Sequence, residues 1–259
     1  MKIAALQMQP VAGDVEANIA RISEAAKEAA EAGAKLLIAP ELAVTGYGAG
    51  AAFAALSSPA TGWALQRLSA IARDNGLAVI AGFAEREGPV TYNSALFTDG
   101  IGTHAVYRKS HLYGDYERQW FTPERPTSIM VTLCGIRLGM LICYDVEFPE
   151  NVRRLAQDGA DLVVVPTALP KGWAGDFIAG KMIQVRAFEN QVFVAYVNHC
   201  GADAKFTYAG LTRVAAPDGS LLAEAPAEGN TLLVVEIRPD DFARSREENT
   251  YLGDLARIG

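Results

Sequence analysis

The chain is poor in the residues and patterns that mark several large protein classes. It has three cysteines in 259 residues, Cys134, Cys143 and Cys200. An odd, widely spaced set makes no disulfide framework and suits a reducing, cytoplasmic compartment. It has three histidines, His104, His111 and His199. Neither His-Glu-X-X-His nor Cys-X-X-Cys occurs, and adjacent His199 and Cys200 make a poor chelate, so no metal site is read. No stretch approaches ~18 consecutive apolar residues, which excludes a helical membrane span, and the apolar run after Lys2 is too short for a signal-peptide core. Basic residues are in deficit, with 23 Lys and Arg against 30 Asp and Glu and a net charge of −7. That argues against nucleic-acid and anionic-membrane partners, which need a basic face. Glycine-rich phosphate loops, fixed-period repeats and Pro/Gly/Ser linkers are also missing.

What is present is apolar bulk. Half of the residues are hydrophobic and a fifth are charged, far from the disordered regime. A chain of this size buries about 70% of its unfolded surface, enough for a core without disulfides or metals. At roughly 150 residues per domain, length permits one domain or two; with no linker, residues 1–259 read as one.

Strand-like and helix-like segments alternate. Lys2 to Met8 reads as a buried strand. Asp14 reads as an N-cap before Val15, Ile19, Ile22, Ala26 and Ala29 at helical spacing, with Gly33 as the stop. A short strand over Lys35–Ala39 ends in Pro40-Glu41. A helix over about 61–75 leads into a strand over 77–83. Two hairpins are read, 92–97 with 103–107 around Asp99-Gly100, and 128–133 with 136–142 around Cys134-Gly135. Then come a helix over 149–157, a strand over 161–165, a helix over 177–190 and a strand over 192–198. Late strands are placed at about 209–215, 221–224 and 231–237, before a polar tail. Mixed alternation of this kind predicts a mixed sheet covered by helices.

Four side chains have positions that suit chemistry. Cys143 follows the strand ending at Ile142 and precedes a turn and helix, where open sheets place reactive groups and where backbone N–H groups favour thiolate. A lone cysteine is also commonly a small core residue. Glu41 leaves a hydrophobic strand, where desolvation raises a carboxyl toward the range of a general base, unless it is simply a loop carboxylate in water. Lys109, after a hairpin strand, would stabilise charge on a tetrahedral oxygen or would be a surface lysine. Glu117, eight residues on, is as ambiguous alone.

Together these segments resemble the carbon–nitrogen hydrolase (nitrilase) superfamily. Pro40-Glu41 follows a strand, Arg108-Lys109-Ser110-His111-Leu112 is followed by Glu117, and Cys143-Tyr144-Asp145-Val146-Glu147-Phe148-Pro149-Glu150 comes next. Further likenesses run through Val164–Thr167, Arg186-Ala-Phe-Glu189-Asn190 and the strand ending at Asn198. The resemblance spans nearly the whole chain. It implies a four-layer α-β-β-α sandwich with mixed sheets, Cys143 as nucleophile, Glu41 as base, Lys109 as oxyanion partner and Glu117 as the glutamate that positions substrate and lysine. It implies the Tyr144 N–H as a second oxyanion donor, and a packing role for Arg186, Glu189 and Asn190. No metal or cofactor is required. It also implies a homodimer or larger assembly, with a tail containing Arg244, Arg246, Tyr251 and Leu252 that resembles the family's C-terminal segment.

The implied reaction is hydrolysis of a small aliphatic or amino-acid amide through a Cys thioester. Alternatives on the same residues are a nitrilase, an omega-amidase or an N-carbamoyl amino acid hydrolase; a catalytically silent scaffold is the non-enzyme reading. Cys-Tyr-Asp resembles the omega-amidase and small-amidase branch, many of whose members carry Arg where this chain has Glu147. Glu147, with Asp176 after Trp173, is therefore read as attracting a cationic amine, and Tyr47, Tyr113, Trp120 and Trp173 as pocket or core aromatics.

Overall fold

A computed structural model describes residues 1–257. Among them, twelve strands make two six-stranded sheets. The first runs, edge to edge, Thr231–Glu236 (β12), Lys2–Gln7 (β1), Leu36–Ile38 (β2), Ala78–Glu87 (β3), Val90–Thr98 (β4) and His104–Arg108 (β5). The second runs Leu221–Glu224 (β11), Arg213–Ala215 (β10), Phe193–Asn198 (β9), Leu162–Thr167 (β8), Ile136–Met140 (β7) and Met130–Leu133 (β6). In each, a parallel centre (β1-β2-β3; β7-β8-β9) is flanked by antiparallel strands.

Side-chain alternation builds the layers. On β1, Ile3 and Ala5 join the interior shared with the second sheet, while Ala4 and Leu6 pack with Ile19, Ile22 and Ala26 of the helix Val15–Glu31 and Leu68 of the helix Trp63–Asn75. Strands buried on both faces read as continuous apolar runs for this reason. On the other side, Val152 and Leu155 of the helix Pro149–Gln157 and Ile183 and Ala187 of the helix Ile183–Asn190 pack into the second sheet's core. The order is α-β-β-α. No helix among the described residues is long and apolar enough to cross a membrane.

Local signals act where chemistry predicts. Asp14 Oδ1 accepts from the Ala17 N–H at 2.9 Å, capping the first helix. Gly76 ends the helix Trp63–Asn75 at φ 64°. Asp99 holds its hairpin loop by accepting from the N–H groups of Ile101, Gly102 and Thr103 at 2.9, 3.1 and 2.9 Å.

Four elements differ from the sequence reading. The strand expected from 209 starts at Arg213, because Gly210 and Leu211 sit at φ 64° and 58° and cannot continue a ladder. The helix expected over 177–190 is broken into Trp173–Phe177, a π turn over Ile178–Met182, and Ile183–Asn190. Helix Gly114–Trp120 lacks an apolar period and was not foreseen. The polar tail contains helices Ala243–Glu248 and Tyr251–Ala256.

Candidate active site

The ends of β2, β5, β7 and β9 converge. Beyond β1 and β9, Met8 pairs with His199 and so joins the two sheets at this end. His199 is fully buried, and burial pushes its pKa down to about 4, so the ring is neutral. Its Nε2 lies 2.7 Å from the Glu41 carbonyl and its Nδ1 3.1 Å from the Met8 carbonyl. A neutral ring has one N–H; the shorter contact assigns it to Glu41. The backbone leaving β2 is thus tied down directly behind the Glu41 side chain.

Gly82 of β3 makes room for that turn. A Cβ there would stand 2.1 Å from the Leu42 nitrogen and 2.7 Å from Glu41 Cα. Its backbone pairs with Pro40 O at 3.0 Å and Val44 N at 3.1 Å, and Leu42 adopts φ 49°. The side chain of Glu41 is fully buried. Its Oε1 accepts from Asn93 Nδ2 at 2.7 Å and Lys109 Nζ at 2.6 Å. Its Oε2 is buried without a hydrogen-bond partner among the described residues. Burial pushes the Glu41 carboxyl up to about 7, against the pull of the Lys109 ammonium and with the push of Glu117.

Strand alternation separates Arg108 from Lys109. Arg108 turns outward to Glu85 at 2.5 Å. Lys109 turns inward and bridges Glu41 and Glu117, both at 2.6 Å. Burial opposes its charge, but the two carboxylates overcome this and hold the lysine well above its ordinary range. An ammonium has three N–H groups; two are committed and one is left. Glu117 takes the Lys109 ammonium and the Tyr47 hydroxyl (2.9 Å) on Oε1 and the Tyr113 N–H (2.8 Å) on Oε2.

Cys143 opens a 3₁₀ turn, Cys143–Glu147, at φ 44° and is 6% exposed. This left-handed conformation is uncommon for a non-glycine residue and marks a constrained position. The fully buried Asp145 carboxylate holds the turn. It accepts from Ile142 N at 3.3 Å, Ser110 N at 3.2 Å, His111 N at 2.8 Å and the Tyr107 hydroxyl at 2.9 Å, and contacts His111 Nδ1 at 2.8 Å. One side chain therefore locks the Cys143 turn to the segment carrying Lys109. Arg186 braces the turn's far end through Val146 O at 2.8 Å and Glu147 O at 2.7 Å.

The thiol is not the thiolate that the strand-end position suggested. Burial, then the charge of Glu41, pushes Cys143 well above its ordinary range; Lys109 and the Ala168 N–H pull back only in part. Proton removal is thus part of any nucleophilic use of this thiol. The Tyr144 N–H makes no hydrogen bond among the described residues.

Cys143 opens on a cavity of about 230 Å³ lined by Tyr113, Tyr144, Glu147, Leu169, Trp173 and Ile178, among others. Glu147 is part of this wall, and burial pushes its carboxyl up to about 7. Trp173 stands at the rim, 80% exposed, stacked on Phe177 at 5.8 Å. Asp176 does not line the cavity; it is exposed on the helix Trp173–Phe177. Tyr47 is buried away from it, with its hydroxyl on Glu117 and its ring against Tyr116, Phe206 and Tyr208. Trp120 belongs to that same aromatic cluster. Sequence reasoning did not single out Asn93 or His199 as site residues, or Asp145 as the lock between segments. Only the position of Asp145 inside the Cys-Tyr-Asp motif could have signalled it. A larger, more open depression of about 410 Å³ between the helix Val15–Glu31 and strands β1 and β12 holds no nucleophile.

The fold and this arrangement define a carbon–nitrogen hydrolase. Residues 2–247 match the carbon–nitrogen hydrolase family, to which the chain belongs. It is 41% identical over 258 residues to a hydrolase in the pqqF 5' region of Pseudomonas protegens (98% of this chain, 88% of that one). It is 36% identical over 256 residues to an (R)-stereoselective amidase of Pseudomonas sp. (98% and 91%). Among solved structures, a nitrilase-superfamily amidase mutant from Nesterenkonia AN1 superposes with a TM-score of 0.88 at 37% identity, covering 100% of this chain and 96% of that one. The protein is an enzyme, an amidase of the nitrilase superfamily.

Proposed function

We propose that residues 1–259 act as one domain that hydrolyses a compact primary amide, aliphatic or amino-acid, through a thioester on Cys143, with Glu41 as base and Lys109 as oxyanion partner. The observation that carries this reading is the Glu41–Lys109–Glu117 charge cluster. Glu41 keeps one oxygen unpartnered and Lys109 keeps one N–H uncommitted, beside a thiol that needs a base.

Glu41 takes the thiol proton as Sγ attacks the amide carbon. The tetrahedral oxyanion is held by the remaining Lys109 N–H and the Tyr144 N–H. Glu41 passes its proton to the departing nitrogen, the C–N bond breaks and ammonia leaves. Water then attacks the thioester, giving its proton to Glu41. The C–S bond breaks, the thiol regains the proton and the acid departs. Splitting hydrolysis in this way replaces one hard step with two easier ones. Glu117, oriented by Tyr47 and Tyr113, fixes Lys109 and faces substrate. No cofactor enters.

A nitrile, an omega-amide or an N-carbamoyl amino acid would use the same three residues; the Pyrococcus abyssi relative, 31% identical, is a nitrilase. An omega-amide is disfavoured by the wall of the cavity. Among the described residues its one cationic side chain is Lys171, an exposed rim residue 3.2 Å from Glu228, so the wall holds no buried cation to fix a substrate carboxylate. Ammonia release from an amide and nitrile panel, with intact-mass detection of the acyl-enzyme, tests the reading. We expect ammonia and an acyl adduct from amides, and neither from Cys143→Ala. Amide hydrolysis that survives Cys143→Ala overturns it. We further read the enzyme as a cytoplasmic homodimer or larger oligomer, supported by exposed Trp173, Phe177 and Val185 on one helical segment; light scattering at the monomer mass would refute assembly.

A further inference from the structure

The wall of the cavity beside Cys143 has a composition of its own. Glu147 presents a carboxylate there that forms no side-chain hydrogen bond or ion pair among the described residues. Arg186, the nearest guanidinium, is spent on two backbone carbonyls and on Glu189 at 2.9 Å. A half-buried carboxylate on a cavity wall, with no cationic side chain paired to it, is a place suited to a cationic ligand group.

The sign of that group follows from the charges. Two carboxylates flank the Lys109 ammonium, so no uncompensated positive charge remains in the reacting cluster, and Glu147 adds negative charge when ionised. Lys171 at the rim is exposed and lies 3.2 Å from Glu228, so solvent screens its charge and it adds little positive field inside the cavity. The remaining rim is aromatic: Tyr113, Tyr144 and Trp173. Aromatic faces and a carboxylate around a small enclosed volume favour an alkylammonium and disfavour an anion.

We propose that Glu147 is the specificity-determining residue of the site and binds the ammonium group of an α-amino amide. The inference rests on the amidase reading and narrows its substrate. An amide of a free amino acid places its ammonium one carbon from the reacting carbonyl, which suits a cavity of about 230 Å³ reached from Cys143. Glu147 then orients the acyl chain by charge.

Alaninamide and isobutyramide have nearly the same shape and differ in charge, and glutaramate carries the opposite charge. With wild-type enzyme near neutral pH, kcat/KM should favour alaninamide over isobutyramide by about tenfold or more, with glutaramate lowest. Glu147→Gln should remove most of that preference. Equal or lower rates on alaninamide, or a preference that survives Glu147→Gln, overturn the proposal. If no amide is hydrolysed, the amidase reading itself fails, and calorimetry on Cys143→Ala judges the subsite separately. Alaninamide binding about tenfold tighter than isobutyramide, abolished by adding Glu147→Gln, supports the subsite; equal binding refutes it.

Discussion

Glu41 and Asp145 are both fully buried carboxylates within the same site, yet they are built in opposite ways. Asp145 is saturated, its oxygens taken by backbone N–H groups of three residues, a tyrosine hydroxyl and a histidine ring. Glu41 has one oxygen crowded with two donors and the other with none. A saturated carboxylate has no capacity left for a reacting proton, and its energy is in holding segments together. An unsaturated one costs stability, because burial without full pairing is unfavourable, and keeps an oxygen free for chemistry.

Glu41→Gln is the sharpest way to break this contrast. A positioned general base contributes about 10²- to 10⁴-fold in rate, so kcat/KM on a neutral amide should fall about 10³-fold. Thermal stability should hold or rise, because a half-paired buried charge is removed while Lys109 keeps Glu117 at 2.6 Å. A clear drop in Tm with activity retained would reverse the roles assigned to the two carboxylates.

Asp145→Asn should act the other way round. Its amide presents N–H groups to donors that expected an acceptor, at a cost of roughly 3 kcal/mol for a broken buried ionic network. At ~2–4 °C per kcal/mol for a chain of this size, Tm falls by about 6–12 °C. Activity should fall about 10²-fold through loosened placement of Cys143 against Lys109. Calorimetry and kinetics on the same samples would test whether both losses occur together.

The pH dependence follows from Glu41 alone if a neutral amide is used. A base must be deprotonated to act, and burial has raised this carboxyl from its ordinary value to about 7. Activity should therefore fall about tenfold per pH unit below 7 and level off above it. Lys109→Met removes the charge that holds the carboxyl down, and should move the acid limb to higher pH. Asp145→Asn should lower the plateau and leave the limb in place. A limb near 4.5 would mean that Glu41 is not the base.

These distinctions also mark how far the sequence could be read. The layers were legible, because short apolar runs bounded by turn residues, such as Ile3–Leu6 and Leu162–Val165, read as strands buried on both faces. The motifs named Glu41, Lys109, Glu117 and Cys143, and the fold brings the first three into hydrogen-bond contact near the thiol. Their states were not legible. Position at a strand end suggested a thiolate at Cys143, whereas the tertiary burial and the nearby carboxylates keep it protonated. Tyr47 looked like a substrate-facing aromatic; only the packing of Tyr116, Phe206 and Tyr208, 69 to 161 residues away in sequence, turns its hydroxyl onto Glu117. Asp176 had the right charge and neighbourhood, but the short helix Trp173–Phe177 points it to solvent. Motifs name residue types, while long-range contacts set protonation and direction.

Tyr47→Phe should give the smallest effect, and it tests the middle ground between the two carboxylates. Glu117 is better paired than Glu41, with the Lys109 ammonium and the Tyr47 hydroxyl on one oxygen and the Tyr113 N–H on the other. Removing the hydroxyl leaves the ring packing intact and deletes one donor of three. A single hydrogen bond to a charged acceptor is worth about 1.5–3 kcal/mol, less what relaxation of the Lys109 contact recovers. Because Glu117 holds Lys109 at 2.6 Å, the proposed mechanism makes the loss appear as a three- to tenfold fall in kcat, about 1 kcal/mol of barrier, with the pH limb unmoved. A shift of the limb instead would show that Tyr47 acts through the charge on Glu41 rather than through the placing of Lys109.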